Sequence, residues 1–288
     1  MRCLASAVLA SALAASTATA EPRYAGAATC APCHPTQHGP WAAAPHSRTV
    51  RAPSEAERAS LAESLLCADE EVVLVVGIRR HLRFVSPPDA GGAARLLPCR
   101  WNRDDSSWEV LGNDPTAPGV AWREVCAPCH DTGVGSLDEH GVGCEACHGP
   151  AAAHAASPTT DKPFAFPADQ PGRAASVCGS CHLQGGESPA GKPFPEGFRP
   201  GRLLGPSYRF PWEMLEGDPG DRHAELDLRA RLVDGSSTRP CLECHDPHDQ
   251  SADRHRALER TAICDQCHVA GGLELRPDRE TECPVCRL

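Results

Sequence analysis

Six times in 288 residues the chain repeats Cys-x-x-Cys-His. The copies are Cys30/Cys33/His34, Cys126/Cys129/His130, Cys144/Cys147/His148, Cys178/Cys181/His182, Cys241/Cys244/His245 and Cys264/Cys267/His268. A seventh pair, Cys283 and Cys286, is followed by Arg287 instead of His. On a helical turn, residues three and four apart share a face. Both thiols and the imidazole of each copy therefore point the same way. Two thiols can then reach the two vinyl groups of one porphyrin while the imidazole meets its iron. This pentapeptide is the attachment signature of c-type haem. Zinc sites and redox dithiols also use Cys-x-x-Cys, but neither requires His directly after the second Cys. The sequence thus predicts six haem c groups, held by the twelve cysteines, with His34, His130, His148, His182, His245 and His268 as proximal iron ligands.

Composition points the same way. Aromatic residues are 5% of the chain, and it holds 28 Pro and 25 Gly. Pro and Gly interrupt both helices and strands, so few long elements can form and little apolar side-chain surface is available for a core. Flat apolar haems would supply that core. The expected fold class is mainly α and irregular, haem-cored, with a small antiparallel β insert between the first and second motifs.

The N-terminus reads as a secretory signal over residues 1–20. Arg2 begins it, an apolar Ala/Leu stretch follows, and Ala18-Thr19-Ala20 is a cleavage site, so a mature chain would start at Glu21. The apolar stretch is too short for a membrane span, and no other run approaches that length. Export to a bacterial periplasm agrees with haem attachment, which takes place outside the cytoplasm. The formal net charge of −10 argues against a nucleic-acid partner, which calls for basic patches.

Four segments follow: the signal, a first motif segment over 21–66, the insert over 67–115, and a multihaem segment over 116–288. Residues 54–66 look helical, with Ser54 as cap and Glu57 three positions on. Strand-like runs lie at 71–78, 82–85, 93–101 and 108–111, separated by turn residues. Cys67 and Cys99 belong to no motif and either pair as a disulfide or stay free. Short intervals separate motifs 2 and 3 and motifs 5 and 6. Residues 183–240 read as a wrapping loop, with a short helical segment near 222–232.

The motif surroundings resemble those of the cytochrome c554-like multihaem family. The opening YAGAATCAPCH with its later Trp and PHS, the segment GVGCEACHGPAAAH, and CLECHDPHD followed by CDQCH carry that likeness. It covers most of residues 24–288 and is weakest over 183–240. The resemblance implies closely packed haems, mostly with two His ligands, and electron transfer. It also implies His46, His154 and His248 as distal ligands, and one haem without a distal ligand, for which His130 marks the candidate. Related chains often end in a further haem motif, and Arg287 stands where its His would be. No seventh haem is expected.

Fourteen His are present. Beyond the six proximal ones and the three named distal ones, His38, His81, His140, His223 and His255 are also available. Met1 and Met214 are the only methionines, and Met ligation raises haem potential. A low-potential set of bis-His haems follows. The sequence predicts an electron carrier whose partners are redox proteins: a quinol-linked donor, a terminal reductase or another cytochrome. The alternative is an oxidoreductase with one open haem acting on a small nitrogen or sulfur compound. No Lys follows a Cys-x-x-Cys pair, which closes the Cys-x-x-Cys-Lys route to such an enzyme.

Overall fold

The computed structural model describes residues 23–63, 71–78, 81–111, 120–137, 139–159, 161–183, 185–211, 241–243 and 245–248. The signal, the segment near 222–232, Cys67, Met214, Cys244, the sixth motif and the broken seventh lie outside the described residues.

In chain order the elements begin with α1 (Ala27–Cys30), α2 (Pro35–Ala43), α3 (Pro45–Arg48), β1 (Val50–Arg51) and α4 (Glu55–Ala62). The sheet continues with β2 (Leu74–Val76), β3 (His81–Val85), β4 (Leu96–Asn102) and β5 (Ser107–Val110). Then come α5 (Trp122–Val125), α6 (Ala127–His130), β6 (Asp131–Thr132), β7 (Glu139–His140), α7 (Cys144–His148), α8 (Ala152–Ala156) and α9 (Pro171–His182). A 3₁₀ turn spans Cys241–Glu243.

Strands β1 to β5 form one antiparallel sheet in sequence order. Four of them lie on the apolar runs read from the sequence. The edge strand β1 comes from outside 67–115. Two residues carry too little pattern to signal a strand, and Val50 earns its place by pairing with Val76. The capping box at the start of α4 is complete: Ser54 Oγ accepts from Glu57 N, and Glu57 Oε2 accepts from Ser54 N at 2.9 Å. The helix stops at Ala62, short of the expected 66.

Side-chain alternation gives the sheet two working faces. One carries Val75, Leu82, Phe84, Leu97 and Cys99 against Leu61 of α4, with Trp101 and Trp108 packed on top. The other carries Val50, Val76, Val85 and Leu96 against Trp122 and Ala127, the residues flanking Cys126. The insert is therefore the seat of the second motif as well as a small domain with its own core. Cys99 is fully buried and disulfide-bonded.

The loop after α9 is pinned to that helix. Leu204 N donates to Ser176 Oγ at 3.0 Å, and Tyr208 packs with Ala175 and Leu183. The Tyr208 hydroxyl donates to the Leu183 carbonyl at 3.1 Å and accepts from Gly186 N at 2.9 Å. A Cβ on Gly186 would lie 2.5 Å from the Arg209 carbonyl, so only glycine allows that approach.

Candidate functional site

Each described motif closes a helical turn on itself. The amide of the motif His donates to the carbonyl of its first Cys in His34→Cys30 (2.9 Å), His130→Cys126 (3.2 Å) and His245→Cys241 (2.9 Å). In α6, α7 and α9 the motif His is the last helical residue. The two cysteines and the His are thus presented together at a helix C-terminus, as the spacing requires.

Motif 1 departs from this pattern, and Cys33 departs with it. Cys33 is exposed, whereas the other eight described motif cysteines are partly covered. The reason is local. Helix α1 ends at Cys30 and α2 starts at Pro35, so Cys33 falls in the turn between them. Its amide still donates to the Cys30 carbonyl at 3.2 Å, which keeps the motif turn closed. Cys30, on the helix side of that turn, takes the contact with motif 3, and the polypeptide leaves Cys33 facing outward.

Long-range packing then brings the thiols of different motifs together, both out of sequence order and within it. Cys30 and Cys144 are hydrogen-bonded, joining motifs 1 and 3. Cys129 and Cys181 are hydrogen-bonded, joining motifs 2 and 4, and Cys129 Sγ also contacts the Ser180 carbonyl at 3.8 Å. The Cys178 and Cys241 thiols are hydrogen-bonded, joining motifs 4 and 5. Burial pushes the Cys144 and Cys147 thiols up to about 12. None of the nine described motif cysteines is in a disulfide.

Three imidazole pairs face each other. His34 meets His154 with ring centres 6.4 Å apart, His182 meets His46 at 6.3 Å, and His148 meets His248 at 6.1 Å. Each pair joins a motif His to a His that belongs to no motif. Two metal–nitrogen bonds of about 2 Å each, plus about 1 Å from each nitrogen to its ring centre, give about 6 Å across one axially ligated metal. The spacing fits an iron between each pair. The Nδ1 atom of His154 is buried without a hydrogen-bond partner, a polar atom whose environment is incomplete in the polypeptide alone. The residues present fit haem.

The surroundings orient these rings. His148 Nδ1 lies 2.7 Å from the Phe164 carbonyl. That contact places the proton on Nδ1 and leaves Nε2 for a metal. Burial, with His182 nearby, holds His46 down to about 4, so it is a neutral imidazole near neutral pH, the form a metal needs. His46 is located by its neighbours. Trp41 Nε1 donates to the Val142 carbonyl at 3.0 Å, and Val142 N donates to the His46 carbonyl at 2.9 Å. Gly141, at φ +88°, sits where a Cβ would strike the Ser47 carbonyl at 2.5 Å. Motif 1's trailing segment thereby lies across motif 3's leading one.

His130 is different. Its ring packs on Trp122 at 6.1 Å, and its Nδ1 lies 3.4 Å from Thr49 Oγ1. Two of the remaining histidines face other groups. His38 packs on Trp41, and His140 Nδ1 bonds Asp131 Oδ1 at 3.1 Å across the β6–β7 pair. Asp131 also accepts from Trp122 Nε1 at 3.1 Å. His81 sits in β3 opposite Asn102. His245 is described, while Cys264, Cys267, His268, His223 and His255 lie outside the described residues. Sequence reasoning gave no role to Glu139, Glu145 or Trp41. Glu145 is visible inside the CEACH motif, but nothing local shows what it binds.

Among the described residues no three His, Cys, Asp or Glu side chains converge to hold a bare metal ion, and no helix is long and apolar enough to cross a membrane. Motif turns gathered around facing imidazoles define a class, the multihaem cytochrome fold. The outer cell wall cytochrome OcwA matches with a TM-score of 0.61 at 21% identity, over 86% of this chain and 68% of that one. The undecaheme cytochrome from the S-layer of Carboxydothermus ferrireducens matches with a TM-score of 0.51 at 21% identity, over 86% of this chain and 43% of that one. The chain thus spans less than half of the undecaheme protein. No protein-family model and no curated protein matches the chain.

Proposed function

We propose that the protein is an exported electron carrier that holds six haem c groups through its Cys-x-x-Cys-His motifs. The observation that carries this is the set of three imidazole pairs at 6.1–6.4 Å. In this reading His34/His154, His148/His248 and His182/His46 are axial pairs, and His130, His245 and His268 are proximal ligands whose distal partners are open. Cys33 holds the solvent-facing edge of the first haem, and Cys30 holds the edge turned toward motif 3. Bound haem iron supplies one-electron chemistry. The chain's own residues fix the His148 tautomer, exclude water and set the local charge.

Residues 1–20 act as a cleaved signal, and the mature protein resides in the periplasm. The cell-wall and S-layer settings named for its two structural neighbours support export. Redox proteins are the partners: a quinol-linked donor, a terminal reductase or another cytochrome. We keep the division into 21–66, 67–115 and 116–288 as part of this proposal, with β1 pairing onto the insert's sheet from the first segment.

The mass of the purified holoprotein tests this reading. It reports haem number and signal cleavage together. Six haems on a chain beginning at Glu21 support the reading. A haem-free or seven-haem mass refutes it.

A second reading concerns motif 2. Because His130 packs on Trp122 and faces no second imidazole among the described residues, its haem is the candidate for an open coordination position and for oxidoreductase chemistry on a small nitrogen or sulfur compound. Electron paramagnetic resonance of the oxidised protein separates the two. Uniformly low-spin signals without cyanide binding favour the carrier, and a high-spin, cyanide-binding haem favours the enzyme.

A further inference from the structure

Glu145 stands between the two cysteines of motif 3 and is 2% exposed. Its carboxylate accepts from Ala25 N at 2.9 and 3.1 Å, from Gly26 N at 2.8 Å and from Ala151 N at 2.7 Å. These partners are backbone amides. They satisfy the oxygens but carry no formal positive charge, so the buried carboxylate keeps its negative field. A second carboxylate continues the clamp: Glu139 accepts from Ala27 N at 3.0 and 3.3 Å. Room for it depends on Gly143, where a Cβ would lie 2.7 Å from Glu139 Oε2.

Three successive amides, those of residues 25–27, are thus gripped by two carboxylates from the strand and helix of motif 3. They sit at the start of α1, which ends in Cys30. The clamp fixes Cys30 against Cys144 and places both negative charges beside that junction. The field is felt there: after burial, Glu145 and Glu139 help to raise the Cys30 thiol, and Glu139 helps to raise that of Cys144.

We propose that Glu145, seconded by Glu139, positions motifs 1 and 3 and lowers the reduction potentials of the two haems they hold. The inference rests on the haem-loading reading above. A ferric site carries one more positive charge than a ferrous one, so a buried anion nearby favours the ferric form. Motifs 1 and 3 become the reducing end of the set. Glu145 acts as a positioning residue through charge and hydrogen bonds, without touching iron.

The test is Glu145→Gln in the haem-loaded protein, which keeps size and an acceptor oxygen but removes the charge. Mass spectrometry first establishes haem number in both proteins. A wild-type protein without haem would sink the functional reading and leave the titration meaningless as a test of Glu145. With loading intact, redox titration followed by optical and paramagnetic resonance spectra reads the potentials. Two haems are expected to shift positive by about tenfold in ferric-to-ferrous ratio, about 59 mV for one electron, while the others hold. Glu145→Asp retains the charge and is expected to keep the potentials near wild type. Unmoved potentials, or an equal shift of every haem, overturn the proposal. Should Glu145→Gln fail to load, Glu139→Gln keeps the main clamp and is expected to shift the same two haems by less. No shift there overturns the proposal equally.

Discussion

Replacing His46 by Ala probes the longest of the imidazole pairings in sequence. His46 and His182 face each other at 6.3 Å, and their side chains would be tied through one iron. Ala leaves no nitrogen within reach, so the haem of motif 4 is expected to lose one axial ligand and turn high-spin. The tie also closes a loop of about 136 residues, and chain-entropy arithmetic for a cross-link of that span gives about 5 kcal/mol as an upper limit. A coordinate bond that opens in the unfolded chain delivers only part of this. The assay combines paramagnetic resonance of the oxidised protein with denaturant unfolding followed at the haem absorption band. One haem should change spin state, and the unfolding midpoint should fall. His46→Met restores both the ligand and the tie, so spin state and stability should recover while that haem's potential rises. His38→Ala is the control, since that ring packs on Trp41. Unchanged spin state in His46→Ala, or identical spectra for the Ala and Met variants, would refute the pairing.

Further outcomes follow from the insert. Phe84 is 2% exposed and packs on Trp108 at 5.3 Å, so Phe84→Ala should cost about 3–5 kcal/mol, read as lost hydrogen-exchange protection across β2–β5. Equal protection in the variant would contradict the core assignment. Ser54→Ala should cost about 1 kcal/mol through loss of the α4 cap, seen in the same exchange experiment as faster exchange at the helix start. Glu57 is held down to about 2, first by its Arg51 hydrogen bond. Because its pKa is lowered on folding, its stabilisation is present above the ordinary value of 4.5 and disappears as pH falls through about 2. Thermal melts of wild type and Glu57→Gln should therefore converge in acid and separate above pH 4.5, and parallel curves would count against the ion pair. For the Cys99 disulfide we propose Cys67 as partner. Alkylating the denatured, unreduced protein should label neither residue, and Cys67→Ser should expose one new thiol.

The local half of this molecule was legible before any coordinates. Motif turns follow from residue spacing alone, because a helical turn is a short-range object. Four strands of the sheet and the capping box at Ser54 and Glu57 were equally readable, since alternation and cap chemistry are written in consecutive residues. The partnering of motifs was not. Short intervals suggested proximity of motifs 2 and 3, and Gly143 N does donate to Thr132 Oγ1 at 2.7 Å between them, but nothing local signalled the thiol contacts that join 1 with 3, 2 with 4 and 4 with 5. Such contacts depend on clamps such as Glu145 on residues 25 and 26, which lie about 120 positions away. The outward setting of Cys33 was hidden too, because its pentapeptide is spelled like the other five and only the break between α1 and α2 sets it apart. Strand β1 escaped notice because two residues have no period, and only their partner Val76 makes them a strand. His46, His154 and His248 could be named only through the resemblance, because a lone imidazole carries no local signal of what it faces.

The three facing pairs span residues 34 to 154, 46 to 182 and 148 to 248. Each interval overlaps the next without enclosing it, like links of a chain. No cut between residues 46 and 182 leaves all three intact, and a chain ending before residue 248 would leave His148 without its mate. In the proposed reading, each site of a protein emerging from an export channel stays open until its second imidazole arrives, at residues 154, 182 and 248 in turn. The first imidazole waits for the arrival of the 154th residue, and the third waits for almost the whole sequence. Maturation is then late and ordered, and the interlocked pairs leave no stretch between residues 34 and 248 where the chain could be divided without parting a pair.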